Sequence, residues 1–159
     1  IIKISSINIT YTSKPTDQFM KVQVLILCIA NSARSQMGEG LLRDISENNI
    51  DVYSAGTKPS TVNPFAIQAM RKRNIDITTH TSDSFEKYLN QPFDYVITVC
   101  DNAAETCPNF PGKAQRIHWN FTDPAGVDGD EDEILASFIK VRDGLEERIS
   151  EWIAKFTKI

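Results

Sequence analysis

The sequence predicts an α/β domain of three layers, a four-stranded parallel sheet flanked by helices. Three observations carry this expectation. Val22–Cys28 and Asp94–Cys100 are apolar runs with almost no polar alternation, the pattern of strands buried on both faces. Strand-like runs alternate along the chain with segments of helical period, which makes a mostly parallel sheet. The last such segment is long and amphipathic, with Ile134, Leu135, Phe138, Ile139, Leu145, Ile149, Trp152, Ile153 and Phe156 on its apolar side.

Residues 1–19 stand apart from this pattern. Ile2, Ile4, Ile7, Ile9 and Tyr11 alternate as in a strand, and residues 13–17 read as a loop around Pro15. This stretch is expected to be a peripheral extension, an added edge strand being the competing reading. Met20 is an alternative start, and residues 20–159 are expected to form a single catalytic domain.

After the first strand, Met37, Leu41, Leu42 and Ile45 recur at helical spacing. Gly38 and Gly40 weaken that helix, so close packing has to compensate there. Asn48-Asn49 ends it, and Val52–Gly56 is a short strand closed by glycine. Asn63-Pro64 is an N-cap followed by an N1 proline, opening a helix through Ala66, Ile67, Ala69 and Met70. Thr81 or Ser82 is expected to cap a short helix reaching Leu89. Asp94–Cys100 and then Gln115–Trp119 supply the third and fourth strands.

The chemistry concentrates where the first strand meets the first helix, in Cys28-x5-Arg34-Ser35. A loop between a buried strand and a helix start is a natural anion site, because its backbone N–H groups point at the ligand and the helix dipole favours negative charge. The expected oxyanion-binding residues are Ile29, Ala30, Asn31, Ser32, Ala33 and Arg34, the last adding a planar fork that grips two oxygens together. The same surroundings favour the thiolate of Cys28, and Ser35 is placed to donate a hydrogen bond to it. A thiolate beneath a bound oxyanion is an activated nucleophile. A lone buried cysteine would read as structural; this spacing between strand and helix reads as catalytic.

Composition narrows the field. Seventeen basic against twenty-one acidic residues give a net charge of −4, which argues against a nucleic-acid partner. No apolar run approaches the roughly 20 residues that cross a bilayer, and no signal-peptide pattern opens the sequence. Three cysteines fit working thiols better than a secreted disulfide framework, so the expected compartment is a reducing cytoplasm.

The other two cysteines are Cys100, at the end of the third strand, and Cys107. As a continuing strand they would lie about 23 Å apart, and as a helix about 10 Å. A disulfide needs Cα atoms within roughly 7 Å. A bridge between them therefore requires the segment to fold back or unwind. Two unrelated thiols remain the alternative.

These residues also carry a resemblance. Cys28-x5-Arg34-Ser35, with Asn31 and Ser32 inside, resembles the phosphate-binding loop of the low-molecular-weight tyrosine phosphatase fold. The longer run from Asn31 to Gly40 is similar to the thioredoxin-coupled arsenate reductases of that fold, and the resemblance extends over residues 21–155. It implies that Cys28 attacks arsenate and that Cys100 then attacks Cys28, releasing arsenite. Cys107 next attacks Cys100, and thioredoxin reduces the resulting Cys100–Cys107 disulfide. It implies no tightly bound cofactor. Two departures stand out: Ala33 occupies a position where some members have a cysteine, and Ile29-Ala30 replaces the Thr-Gly often found after the nucleophile.

Asp123-Pro124, late in the chain, reads as a stiffened turn whose carboxyl serves as general acid, an ordinary Asx turn being the plainer alternative. Ala125-Gly126 follows, where the phosphatases usually place an aromatic wall, so a small bare oxyanion fits better. By resemblance, Asn31, Glu39, Ser54 and Asp83 match a potassium site, with a hydrogen-bond network steadying the loop as the equal alternative. His80 and His118 read as structural. The acidic run from Asp128 to Glu133 reads as a solvated entry to the last helix. Three cysteines without a Cys-x2-Cys pair or nearby histidines argue against structural zinc.

Arsenate reduction with thioredoxin is therefore the expected activity. The alternatives are a low-molecular-weight phosphatase acting on phosphotyrosine or small phosphomonoesters, and a non-enzymatic oxyanion-binding or thiol redox-sensing module.

Overall fold

The computed structural model describes residues 21–101 and 105–156. The expectations about residues 1–19 lie outside them. Four strands, β1 (Val22–Cys28), β2 (Ile50–Gly56), β3 (Tyr95–Thr98) and β4 (Gln115–His118), form one sheet in the order β2-β1-β3-β4. Every neighbouring pair is parallel. The helices are α1 (Arg34–Ile45), α2 (Pro64–Arg71) and α3 (Glu131–Phe156).

Alternation along β1 divides its side chains between two cores, as a strand covered on both faces requires. Val24, Ile26 and Cys28 join Met37, Leu41, Ala69, Met70, Phe138, Leu145 and Ile149 of the three helices. Leu25 and Leu27 face the other way, against Tyr88, Phe93, Val96 and Phe110. That second face is covered by a 3₁₀ turn, Phe85–Tyr88, and an edge-to-face aromatic cluster rather than by a full helix.

Both glycines of α1 have steric reasons. A Cβ on Gly40 would stand 2.9 Å from Ile77 and from Met70, and one on Gly38 3.3 Å from Ile26. The helix thus trades propensity for close approach to the sheet and to the segment after α2. Asn63 caps α2 as expected, its Oδ1 accepting from the Phe65 N–H at 2.8 Å. The cap expected at Thr81 or Ser82 belongs instead to Ser84, whose Oγ accepts from the Glu86 N–H at 3.3 Å. Ser82 is occupied elsewhere, with its hydroxyl on the Ala30 carbonyl at 3.0 Å.

Strand order reverses at β1, since the chain moves to one side for β2 and to the other for β3. The carboxyl end of β1 is therefore the switch point where open α/β sheets bind ligands. Cys28 ends that strand, and Cys100 lies just beyond the end of its neighbour β3.

Candidate active site

The loop from Ile29 to Ala33 is shaped by where its carbonyls go. Ile29 O accepts from the Lys58 N–H at 2.9 Å, and Ala30 O from the Ser60 N–H at 3.2 Å. Asn31 O accepts from Gln36 Nε2 at 2.9 Å. Ser32 O takes the Asn63 N–H and Ala33 O the Met37 N–H, each at 2.9 Å. Five consecutive carbonyls are thus held by the surrounding protein. In a planar trans peptide the N–H points opposite to the C=O, so the N–H groups of Ala30 through Arg34 turn to the inside. Asn31 sits at φ 47°, the left-handed region that asparagine tolerates, and its N–H donates to Cys28 Sγ at 3.2 Å. A run of convergent N–H groups opening into a helix is an anion nest. No side chain caps the N-terminus of α1.

The Asn31 side chain braces this loop. Its Nδ2 donates to Ser35 Oγ at 2.7 Å and to Ser54 Oγ at 3.0 Å, and its Oδ1 accepts from the Asp83 N–H at 2.8 Å. Ser35 Oγ lies 2.9 Å from Cys28 Sγ. That oxygen accepts from Asn31, and its own proton is free to serve a Cys28 thiolate. Cys28 therefore sits under two donors, at 2 % exposure.

Arg34 is buried, and burial works against its charge; the hydrogen-bonded Glu105 carboxylate, with Asp123 and Cys28 nearby, more than offsets that and raises its pKa. Nη2 donates to Glu105 Oε2 at 2.7 Å, Nη1 donates to Glu105 Oε1, and Nη1 also donates to the Phe121 carbonyl at 3.0 Å. The Arg34 hydrogen bond holds the Glu105 carboxyl below the usual range. Asp123 Oδ2 stands 3.8 Å from Arg34 Nη2, while its Oδ1 accepts from the Ala125 N–H at 3.0 Å. Asp123 is thus an Asx-capped turn residue that also faces the arginine.

Cys100 is fully buried. Burial first, and the neighbouring Cys107 second, push its thiol pKa far up. Cys107 is half-buried, and all three cysteines are free thiols. The Glu105 N–H donates to the Asp101 carbonyl at 2.8 Å.

Glu39 is engaged by Arg43 at 3.3 Å and by His80 Nδ1 at 2.9 Å. His80 Nδ1 also lies 3.0 Å from Gln36 Oε1, and its Nε2 lies 3.2 Å from Arg43. Asp83 Oδ2 accepts from the Thr81 hydroxyl at 2.7 Å. Of the four residues matched to a potassium site, Asn31, Ser54 and Asp83 are joined through the Asn31 side chain, and Glu39 is tied to Arg43 and His80. All four thus take part in hydrogen bonds or ion pairs around the loop. His118 lies 2.7 Å from the Thr98 hydroxyl, away from the loop.

Three contributors escaped sequence reasoning. Glu105 had no spacing signal. Gln36 clamps Asn31 O and Thr81 O, both at 2.9 Å. Gly56 pairs in register with Cys28, and a Cβ there would stand 2.9 Å from the Asn31 nitrogen. A strand closed by glycine beside a phosphate-type loop was the available hint for the last.

A parallel sheet carrying a cysteine-and-arginine anion nest at its switch point defines the low-molecular-weight phosphatase class. Residues 23–159 match the family model of the low molecular weight phosphotyrosine protein phosphatases, and the chain belongs to that family. Within it, the chain groups with the arsenate reductases. The arsenate reductase of Halalkalibacterium halodurans is 43% identical over 129 residues, spanning 81% of this chain and 93% of its own. That of Bacillus subtilis is 40% identical, spanning 81% and 93%. A solved arsenate reductase in the phosphate binding state superposes with a TM-score of 0.72 at 33% identity, over 85% of this chain and 98% of its own. The thioredoxin-dependent arsenate reductase of Corynebacterium glutamicum superposes with a TM-score of 0.65 at 25% identity, over 86% of this chain and 62% of its own.

Proposed function

We propose that this protein reduces arsenate to arsenite and is recycled by thioredoxin. The observation that carries the reading is the placement of the sulfurs: Cys28 ends β1, and the buried Cys100 lies just past the end of its parallel neighbour β3, at the same end of the sheet. Arsenate binds in the nest of Ile29 to Arg34. The Cys28 thiolate attacks arsenic, and one oxygen leaves as water after taking a proton, for which Asp123 is the donor. Cys100, having given up its proton, attacks Cys28 Sγ. The sulfur–arsenic bond breaks with its electron pair on arsenic, so arsenic falls from the +5 to the +3 state and arsenite departs. Cys107 attacks Cys100 Sγ, restoring the Cys28 thiolate and leaving a Cys100–Cys107 disulfide for the thioredoxin dithiol.

Position supports this order. The nucleophile lies under the anion nest, and Cys107 is more exposed than the other two sulfurs. Among the described residues no helix is long and apolar enough to cross a membrane, and a reducing cytoplasm suits a thiol cascade. Asn31, Glu39, Ser54 and Asp83 act in this scheme as the brace of the loop. Potassium would have to compete with the donors now holding Asn31 Oδ1, Glu39 and Asp83, and no step is routed through it.

The test is to incubate reduced protein with arsenate, trap thiols and map disulfides by mass spectrometry. Turnover should leave a Cys100–Cys107 bridge, and Cys107→Ser should stall at Cys28–Cys100. Full multiple turnover by Cys100→Ser would refute the cascade. Phosphomonoester hydrolysis without arsenate turnover would make the protein a phosphatase, and oxyanion binding without either would make it a binding module.

A further inference from the structure

A guanidinium presents five N–H donors in a planar fork. Three of Arg34's are engaged: one Nη1–H and one Nη2–H by Glu105 across the end-on edge, and the other Nη1–H by the Phe121 carbonyl. The pair is well shielded, with side-chain exposures of 4% and 18%. Glu105 is in turn tied to the start of its own segment. Its Oε1 accepts from the Asp101 N–H at 3.0 Å, and its N–H donates to the Asp101 carbonyl at 2.8 Å. The side-on edge, Nε–H with the second Nη2–H, is a separate fork. An oxyanion can be gripped there while Glu105 stays in place.

We propose that Glu105 is a positioning residue that clamps Arg34 end-on, so that the guanidinium presents its side-on fork to the oxyanion, and that this clamp couples the anion nest to the segment carrying Cys107. Glu105 lies between Cys100 and Cys107 in the chain, so the clamp ties the stretch that carries Cys107 to Arg34. Coupling of this kind is reciprocal. A clamped Glu105 tightens the oxyanion grip, and a bound oxyanion in turn holds Glu105, and with it the stretch that carries Cys107, in place. The role given to Cys107 rests on the redox reading above; the effect on anion binding rests on Arg34 and Glu105 alone.

The experiment uses reduced, full-length protein and inorganic phosphate, with no turnover required. Phosphate affinity is measured by calorimetry for wild type, Glu105→Gln and Glu105→Asp. Alkylation of Cys107 with and without phosphate is followed site by site by mass spectrometry. Glu105→Gln should weaken phosphate binding about tenfold, the scale of a lost charge-assisted bidentate contact. The shorter Glu105→Asp should fall between it and wild type. Phosphate should slow Cys107 alkylation in wild type and leave it unchanged in Glu105→Gln, a response that a merely structural contact would not give. Unchanged or tighter phosphate binding by Glu105→Gln would overturn the proposal, as would faster Cys107 alkylation with phosphate in wild type. The wild-type alkylation measurement decides even if the variant fails to fold. A separate assay of wild-type arsenate turnover with thioredoxin tests the redox reading, so the two can fail independently.

Discussion

Gly56 pairs in register with Cys28, and no side chain fits between them: a Cβ on Gly56 would stand 2.9 Å from the Asn31 nitrogen and 3.0 Å from the Ile29 carbonyl carbon. Both neighbours are backbone, so neither can swing aside. Gly56→Ala should displace the loop, lower stability by about 1–3 kcal/mol and weaken phosphate binding by at least about tenfold, as misplaced binding groups do. Thermal unfolding and calorimetry check it; an alanine variant with wild-type phosphate affinity would contradict the packing argument.

Ser35 joins the sulfur to the loop brace, with its Oγ 2.9 Å from Cys28 Sγ and 2.7 Å from Asn31 Nδ2. In Ser35→Ala the Asn31 amide still has Ser54, so the fold should survive. The thiolate loses one donor, and a hydrogen bond to a charged group is worth enough to slow Cys28 chemistry by about 10–100-fold. Alkylation of Cys28 at neutral pH and the first turnover with arsenate should fall together.

Asp123 faces Arg34 from a turn that its own carboxylate caps. Asp123→Asn keeps the cap and removes the proton donor. The arsenate step should slow by about 10²–10⁴-fold, with phosphate affinity nearly unchanged. An equal loss in both would assign Asp123 to binding instead.

Two groups set opposite limbs of the stability profile. Burial first, and Cys107 second, raise the Cys100 thiol pKa in the folded state. Its contribution is therefore fully present below the unfolded cysteine value, about 8.5, and lost as pH rises above it. The Arg34 hydrogen bond lowers the Glu105 pKa, so its contribution is present above the unfolded value, about 4.3, and lost as pH falls through the lower folded one. Urea unfolding across pH should show Cys100→Ser flattening the alkaline limb and Glu105→Gln flattening the acid one.

Deletion of residues 1–19 should leave arsenate turnover intact, because every group placed at the site lies after Lys21. A folded truncation that has lost all activity would show that the leader takes part.

Much of this was legible because the decisive signals are local. Apolar runs at β1 and β3 announced doubly covered strands, and the cysteine, arginine and serine of the loop are separated by a spacing that strand–loop–helix geometry imposes. Boundaries erred where short-range competition decides. Ser84 rather than Thr81 or Ser82 caps the 3₁₀ turn, since the Ser82 hydroxyl is committed to the Ala30 carbonyl and the Thr81 hydroxyl to Asp83. Glu105 was illegible for a different reason. It meets Arg34 across 71 positions of sequence, and a single carboxylate between two cysteines has no periodicity to reveal where it points.

The outward carbonyls of Ile29 through Ala33 are held by protein groups of Lys58, Ser60, Gln36, Asn63 and Met37. Such a mould belongs to the fold itself, and phosphate and arsenate fit one mould nearly alike. Choice between them must therefore come after docking, from what sulfur can do to the central atom. Thiols take arsenic down two oxidation levels and leave phosphorus where it is, so under the proposed cascade phosphate is a guest that binds without being discharged, and discrimination falls to the sulfurs.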